Sequence, residues 1–239
     1  MSEDDISAVQ AGLATALFYL GSVGYHELYM NGVNVSENVL SPSTVDLSQR
    51  VRYRVYNVSA LLHIGENAVG VWLGPGWAIF EGVNPVMNYN LTKKPIFIAQ
   101  MQLIHVNETS VSVIETDTAD HFHRQPEMTK VQPAFKSSAR VLLVTDESWK
   151  AHESTTQHIG LWTSGNFGGD AVDARLDIPG WCTVELDDHD WDSAVDYTDS
   201  LRPRRHLTAD TVQPTRRRSI VSVTTVVPVS NVSVNAFLC

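Results

Sequence analysis

Gly24-Tyr25-His26-Glu27-Leu28-Tyr29-Met30-Asn31-Gly32-Val33-Asn34-Val35 is two short apolar runs joined by Asn-Gly. Asn and Gly tolerate positive φ, which a two-residue hairpin turn requires, so this stretch predicts two antiparallel strands. The same grammar extends outward. Val51-Arg52-Tyr53-Arg54-Val55-Tyr56 alternates with period two and places Val51, Tyr53 and Val55 on one face. Further strands are predicted at Ala14–Leu20, His26–Met30, Ala68–Leu73, Ile96–Val106, Ser110–Glu115, Arg140–Thr145 and Ile220–Val229. Thirty residues are valine, and the apolar runs are short and separated by turn residues. The pattern is that of an all-β chain, an antiparallel β-sandwich of jelly-roll or galactose-binding-like type with very little helix. One helical turn is expected near Asn57–Leu62, ended by Gly65.

With 239 residues, 43% hydrophobic and 18% charged, the chain is long enough to bury a sizeable core. The best apolar stretch, Ala8 to Val23, is interrupted by Gly12, Thr15, Gly21 and Ser22, short of the ~20 uninterrupted residues of a membrane helix. A net charge of −10 with five lysines disfavours binding to nucleic acid, where phosphate neutralisation drives affinity. Cys182 and Cys239 have no partners at metal-ligand spacing, and their pairing is left open. His121 and His123 lack a third ligand nearby, so no metal or cofactor is expected. Five N-glycosylation sequons begin at Asn34, Asn57, Asn90, Asn107 and Asn231, which favours a secretory setting; the acidic start does not read as a signal peptide.

Seven acids and no Lys or Arg lie between Glu185 and Asp199, and half of all arginines then follow between Arg202 and Arg218. The expected organisation is a β-sandwich over residues 1–199, an Arg-rich linker over 200–219 and a terminal strand segment over 220–239. Asp120 to Ser138 reads as a polar loop.

Several motifs occur in a fixed order: Tyr25-His26-Glu27-Leu28-Tyr29-Met30-Asn31-Gly32, Leu40-Ser41-Pro42, Tyr56-Asn57-Val58-Ser59, Gly65-Glu66-Asn67-Ala68-Val69-Gly70 and Gly74-Pro75-Gly76-Trp77. After them come Thr145-Asp146-Glu147-Ser148-Trp149, Gly169-Asp170-Ala171-Val172-Asp173-Ala174-Arg175, Pro179-Gly180-Trp181 and Leu186-Asp187-Asp188-His189-Asp190-Trp191. This series closely resembles the N-terminal β-sandwich region of bacterial-type α-L-rhamnosidases of glycoside hydrolase family 78. Asn57 and Ser59 stand where that family has Asp and Thr; Asp170 and Val172 stand where it has Glu and Tyr.

The resemblance implies a carbohydrate-associated module. In that family the catalytic acids sit in a downstream (α/α)6 barrel, and no matching segment is present, so no catalytic residue is assigned. The family's leading strands are expected to be missing before Met1, which would leave an unpaired edge. Trp77, Trp162, Phe167, Asp170, Asp173 and Arg175 are the candidate residues for saccharide contact, because sugar sites combine exposed aromatics with convergent polar groups. Asp173 and Arg175 are also expected to pair across a strand, and Trp149, Trp181 and Trp191 to pack the ends of the sandwich. The expected partner is a rhamnose-containing saccharide, or a catalytic-domain or assembly partner chain. The alternatives are a structural or assembly subunit that reuses the fold, and a fragment of a full α-L-rhamnosidase.

Overall fold

The structure is a computed structural model that describes residues 1–47, 49–79, 94–105, 139–159, 169–196 and 206–217. One helix, α1 (Glu3–Gln10), precedes the strands β1 (Ala14–Val23), β2 (Tyr25–Met30), β3 (Val33–Asn34), β4 (Asn38–Val39), β5 (Arg50–Asn57), β6 (Val69–Gly74), β7 (Ile96–His105) and β8 (Ala139–Val144). After these come β9 (Lys150–Ala151), β10 (Gln157–Ile159), β11 (Gly169–Ala171), β12 (Asp192–Ser193), β13 (His206–Ala209) and β14 (Thr215–Arg216). A five-stranded sheet, β13-β5-β1-β7-β8, and a three-stranded sheet, β3-β2-β6, form the two layers. The expected all-β architecture is what the chain adopts, and no helix among the described residues is long and apolar enough to cross a membrane.

β1 sits at the centre of the larger sheet and alternates cleanly. Ala14, Ala16, Phe18 and Leu20 are all buried, with Phe18 and Leu20 fully so. They lie in register with Leu103, Met101 and Ala99 of β7 and pack with Leu28 and Met30 of β2 into one core. The Asn31-Gly32 hairpin forms as read, with φ of 50° and 79° and Met30 opposite Val33. The expected strands at 110–115 and 220–229 and the polar loop lie outside the described residues.

Two features differ from the expectation. Residues 3–10 form a helix whose signal was overlooked: the Ser2 side chain accepts from Asp5 N–H at 3.2 Å, and the Asp5 carboxylate accepts from Ser2 N–H at 3.2 Å. This is a capping box with Asp in the place of the usual Glu or Gln. Gly12, at φ 71°, then turns the chain into β1, so the long apolar run is split between two elements. The single turn at Ser59–Leu61 is a 3-10 turn in which Asn57 Oδ1 accepts from Ser59 N–H.

In β5 the register decides which face turns inward. Val51, Tyr53 and Val55 share a face as expected; it is the outer one, and Val55 is 46% exposed. Arg52, Arg54 and Tyr56 point inward, because Phe18 and Leu20 of β1 are registered against Tyr56 and Arg54.

The second difference lies in residues 206–217, within the expected linker, which belong to the sheets. β13 runs parallel to β5 and β14 pairs with β4. Asp210 follows β13, and its side chain is fully buried. It accepts from Ser43 N–H (2.9 Å), Ser43 Oγ (2.6 Å) and Val212 N–H (3.2 Å) and pairs with Arg54 at 2.7 Å. Burial opposes ionisation here, but these hydrogen bonds and the Arg54 charge outweigh it and hold the carboxyl below its ordinary pKa.

Beside this pair lies a second buried polar group. Gly24, at φ 107°, carries the chain from one sheet to the other; a Cβ there would stand 2.4 Å from the Gly74 carbonyl. Ser22 Oγ donates to the Gly24 carbonyl at 2.9 Å, so it accepts from His26 Nδ1–H at 2.8 Å. His26 Nε2 then accepts from the Tyr56 hydroxyl at 3.0 Å. His26 is 2% exposed, and desolvation, helped by the Arg54 charge, pulls its pKa down to about 3.

Two outcomes follow. Asp210→Ala strands Arg54 without its partner and should cost about 3–5 kcal/mol in urea unfolding. The His26 pKa in the fold lies below its unfolded value of about 6.5, so the unfolded state binds the extra proton and stability falls as pH drops through that window. Between pH 7 and pH 5 this amounts to about 2 kcal/mol, and His26→Gln should abolish that slope. An unchanged pH dependence in the variant would refute the assignment.

Candidate functional site

The outer face of the three-stranded sheet gathers aromatic rings around one carboxylate. Strand alternation turns Tyr25, Glu27 and Tyr29 of β2 outward, because His26, Leu28 and Met30 fill the core. The register places Trp72 of β6 directly opposite Glu27 and Gly70 opposite Tyr29. Gly70 makes room for a third strand-crossing ring: a Cβ there would lie 2.4 Å from Trp181 Cζ3 and 2.8 Å from Cys182 Sγ. Trp181 therefore lies against the bare backbone of β6. It packs edge-on to Tyr29 at 4.9 Å and 65°, and to Trp72 at 5.7 Å and 74°.

The turn that delivers Trp181 is closed by Gly180, at φ 67°, whose carbonyl accepts from both the N–H and the hydroxyl of Thr183. Cys182 is buried beneath, and burial pushes its thiol pKa up, which makes it an inert packing group. Trp72 remains 42% exposed.

Glu27 supplies the polar half. Its Oε2 accepts from the Tyr29 hydroxyl at 3.1 Å and from Asn34 Nδ2 at 2.9 Å. Oε1 carries no hydrogen bond among the described residues. Burial, then the Glu27 charge and the hydrogen bond to it, raises the Tyr29 pKa, so the phenol stays protonated and keeps donating. The carboxylate is thus fixed in direction with one oxygen available, beside an indole ring with an open side.

Two asparagines anchor the hairpin carrying this face. Asn31 Nδ2 donates to the Leu61 carbonyl and Asn67 Oδ1, while Asn31 Oδ1 accepts from Ala68 N–H at 2.8 Å. Asn67 in turn closes the 63–67 loop on itself through His63 and Gly65. The Asn-Gly and Gly-x-Asn-x-x-Gly motifs are two halves of one joint.

The residues singled out from sequence are distributed differently. Trp77 lies in a 3-10 turn at Gly76–Ile79, and its side chain is outside the described residues, as are Trp162 and Phe167. Asp170 lies in β11 opposite His158. Asp173 and Arg175 do come together, but within one turn and not across a strand. Asp173 caps the turn at Ala174–Leu176 and takes both guanidinium contacts, at 2.8 and 2.6 Å. The short chain path between them makes the local pairing, and Arg175 is almost fully exposed.

Trp149 packs edge-on to Phe97 at 5.1 Å beside the core, and Trp191 lies against His152. Of the sequons, Asn34 has its amide engaged with Glu27, Asn57 is exposed, and Asn90, Asn107 and Asn231 lie outside the described residues. Trp72 and Glu27 carry no joint signal in the sequence, because nothing in either strand alone shows that they face each other.

The profile of the alpha-L-rhamnosidase N-terminal domain matches residues 11–130 and 127–219. The chain belongs to this family. Among curated relatives, an alpha-L-rhamnosidase of Formosa agariphila is 24% identical over 200 residues, 82% of this chain and 18% of the relative. One of Alteromonas sp. (strain LOR) is 24% identical over 206 residues, 84% of this chain and 18% of the relative. The Streptomyces avermitilis alpha-L-rhamnosidase, solved with L-rhamnose, superposes with a TM-score of 0.62 at 21% identity, covering 86% of this chain and 16% of that one. The enzyme from Dictyoglumus thermophilum gives a TM-score of 0.58 at 26% identity, with 84% and 17% coverage. The chain thus spans under a fifth of the length of these α-L-rhamnosidases, and what it shares with them is the N-terminal region.

Gly70→Ala tests how this face of the rhamnosidase N-terminal domain is assembled. The added methyl must displace Trp181, which should cost about 1–3 kcal/mol and shift tryptophan emission to the red. Wild-type stability and emission in the variant would contradict this packing.

Proposed function

We propose that this chain is a non-catalytic, saccharide-recognising module of an α-L-rhamnosidase-type enzyme, and that it binds sugar on the outer face of the three-stranded sheet. The observation that carries the reading is the registered pair of Glu27 and Trp72, buttressed by Tyr29 and Trp181. A pyranose has an apolar C–H face and a rim of hydroxyls. The half-exposed Trp72 ring suits the first by stacking, and Glu27 Oε1, which carries no hydrogen bond among the described residues, suits the second by a charge-assisted hydrogen bond. Its relatives are rhamnosidases, one of them solved with L-rhamnose bound, so rhamnose-containing glycans are the first ligands to test. The role is recognition and not hydrolysis: Glu27 acts here as an acceptor, and glycoside cleavage takes two carboxyl groups flanking the scissile bond.

Titration of L-rhamnose and a rhamnosyl disaccharide, followed by indole NMR shifts and calorimetry, should give saturable binding with Kd on the order of 1 mM, about −4 kcal/mol. Trp72→Ala should weaken it at least tenfold. Glu27→Gln, which keeps an acceptor for Tyr29 and Asn34 but loses the charge, should weaken it three- to tenfold with the melting temperature unchanged. Absence of any saccharide-dependent shift at the indole signals would sink the reading. Turnover of an aryl rhamnoside by the chain alone would overturn the non-catalytic assignment.

A further inference from the structure

The hairpin that carries Glu27 also carries the sequon Asn34-Val35-Ser36, and the two meet on one face. Asn34 stands on β3 opposite Tyr29 of β2, so it shares the outward side of the three-stranded sheet with Tyr29, Glu27 and Trp72. The residue is half-buried. Its Nδ2 donates to Glu27 Oε2 at 2.9 Å, and its Oδ1 accepts from Ser36 N–H at 3.0 Å. An asparagine amide has two N–H protons. One is committed to Glu27, which leaves the other as the proton an N-linked glycan replaces. The acceptor atom of the sequon is therefore the atom that braces the carboxylate of the saccharide face.

Sequon frequency supports modification: five occur where the Asn, Ser and Thr content alone gives about two. The two whose asparagines lie among the described residues differ in what a glycan would meet. Asn57 ends β5 on the other sheet and is exposed, and its Nδ2 has no hydrogen bond among the described residues. A glycan there leaves the outward side of β2 and β6 clear. An oligosaccharide joined to Asn34 starts one bond from Nδ2, so its first ring stands beside Glu27. Trp72 lies two strand spacings away, about 9.6 Å across the sheet, within reach of the next rings of an N-linked core. A tether this short gives the attached sugar an effective concentration on the order of millimolar or more. That matches or exceeds the Kd on the order of 1 mM expected for a free monosaccharide.

We infer that Asn34 is an N-glycosylation site, and that the glycan attached there lies on the saccharide face of its own chain and closes it to free sugar. The inference rests on the saccharide-face reading and adds a covalent occupant to it. In the transfer, Asn34 Nδ2 bonds to C1 of an oligosaccharide carried on a lipid diphosphate. The bond from C1 to the diphosphate oxygen breaks, the lipid diphosphate leaves, and Nδ2 gives up one proton. The N–H that remains keeps the hydrogen bond to Glu27 Oε2. Transfer precedes closure of the hairpin, because in the fold the Asn34 amide and the Val35 N–H are both engaged.

The test uses the full chain made in two hosts: a bacterial host that adds no N-glycan, and a eukaryotic secretory host in which the chain follows a cleavable leader. Peptide mass after endoglycosidase H should find N-acetylglucosamine on Asn34 of the secreted protein. A bare Asn34 overturns the inference. Ser36→Ala removes this sequon, keeps the Asn34 amide and leaves every other sequon intact, whereas enzymatic release would leave an aspartate beside Glu27. With no sugar added, the Trp72 indole N–H resonance of the Asn34 glycoform should be displaced from its position in secreted Ser36→Ala. Coincident signals would put the glycan off the face and end the proposal.

Added L-rhamnose should bind secreted Ser36→Ala at least tenfold more tightly than the Asn34 glycoform, and equal affinities count against occlusion. Asn57→Gln, which removes the acceptor on the other sheet, should bind as the secreted wild type does. Made in bacteria, Ser36→Ala and wild type should bind alike, which separates loss of the glycan from loss of the hydroxyl. If the bacterial chain binds no saccharide, the proposed function falls, while the Trp72 signal still decides this inference because it needs no added ligand.

Discussion

One buried carboxylate organises this sandwich. Asp210 sits at the end of β13, about 160 residues along the chain from Arg52, Arg54 and Ser43, and draws all three to itself. A carboxylate with no solvent exposure is costly unless it is paired and hydrogen-bonded, and here it has both. Because side chains alternate strictly along a strand, turning Arg52 and Arg54 inward to meet it turns Val51, Tyr53 and Val55 outward. The polarity of β5 is therefore inverted: charge inside, valine and tyrosine outside. The ion pair and the uncharged outer face of β5 are two consequences of one register, and β5 cannot have one without the other.

The interior polar cluster also gives the fold its acid sensitivity in two separate steps. His26 faces the same interior from β2 of the other sheet, with Ser22 and Tyr56 fixing its neutral tautomer. Its proton linkage acts as pH falls below the unfolded histidine value. Asp210 and Asp5, whose carboxyls are held below their ordinary pKa, act only at lower pH, when the carboxylates protonate. A buried pair of this kind is not a strong source of net stability, since apolar replacements often do as well. What it supplies is specificity: the parallel strand β13 can add to the edge of β5 in the register that brings Asp210 to Arg54.

Much of this was legible in the sequence, and the misses have physical reasons. The hairpin at Asn31-Gly32 and six of the strands were readable because turn chemistry and period two are local properties. The period of β5 was readable too, but not which face goes in: Val-Tyr-Val and Arg-Arg-Tyr are both amphipathic sets, and the residue that decides between them lies beyond position 200. The same distance hid the strands in the Arg-rich stretch, where composition suggested a linker. The helix at residues 3–10 went unread because its capping box uses Asp5 and its apolar residues run on into β1. The ordered motifs pointed to the α-L-rhamnosidase N-terminal family, and their roles prove to be joints: Asn31 with Asn67, and Gly70 with Trp181.

The candidate site shows why a structural motif and a binding face need not be competing readings. Trp181 was expected to pack, and it does, over a glycine that leaves no other choice. That packing is what sets Trp72 on edge against a rigid neighbour and keeps its other side open. A lone indole on a surface strand would lose side-chain freedom on meeting a ligand, whereas one braced by Trp181 and Tyr29 has lost it in advance. The carboxylate is braced likewise, with Tyr29 and Asn34 both holding Oε2. Weak ligands such as single sugars gain little from each contact, so recognition rests on groups ordered before the ligand arrives. In this chain the ordering comes from the backbone of β6 at Gly70, where the smallest side chain makes the largest ring fit.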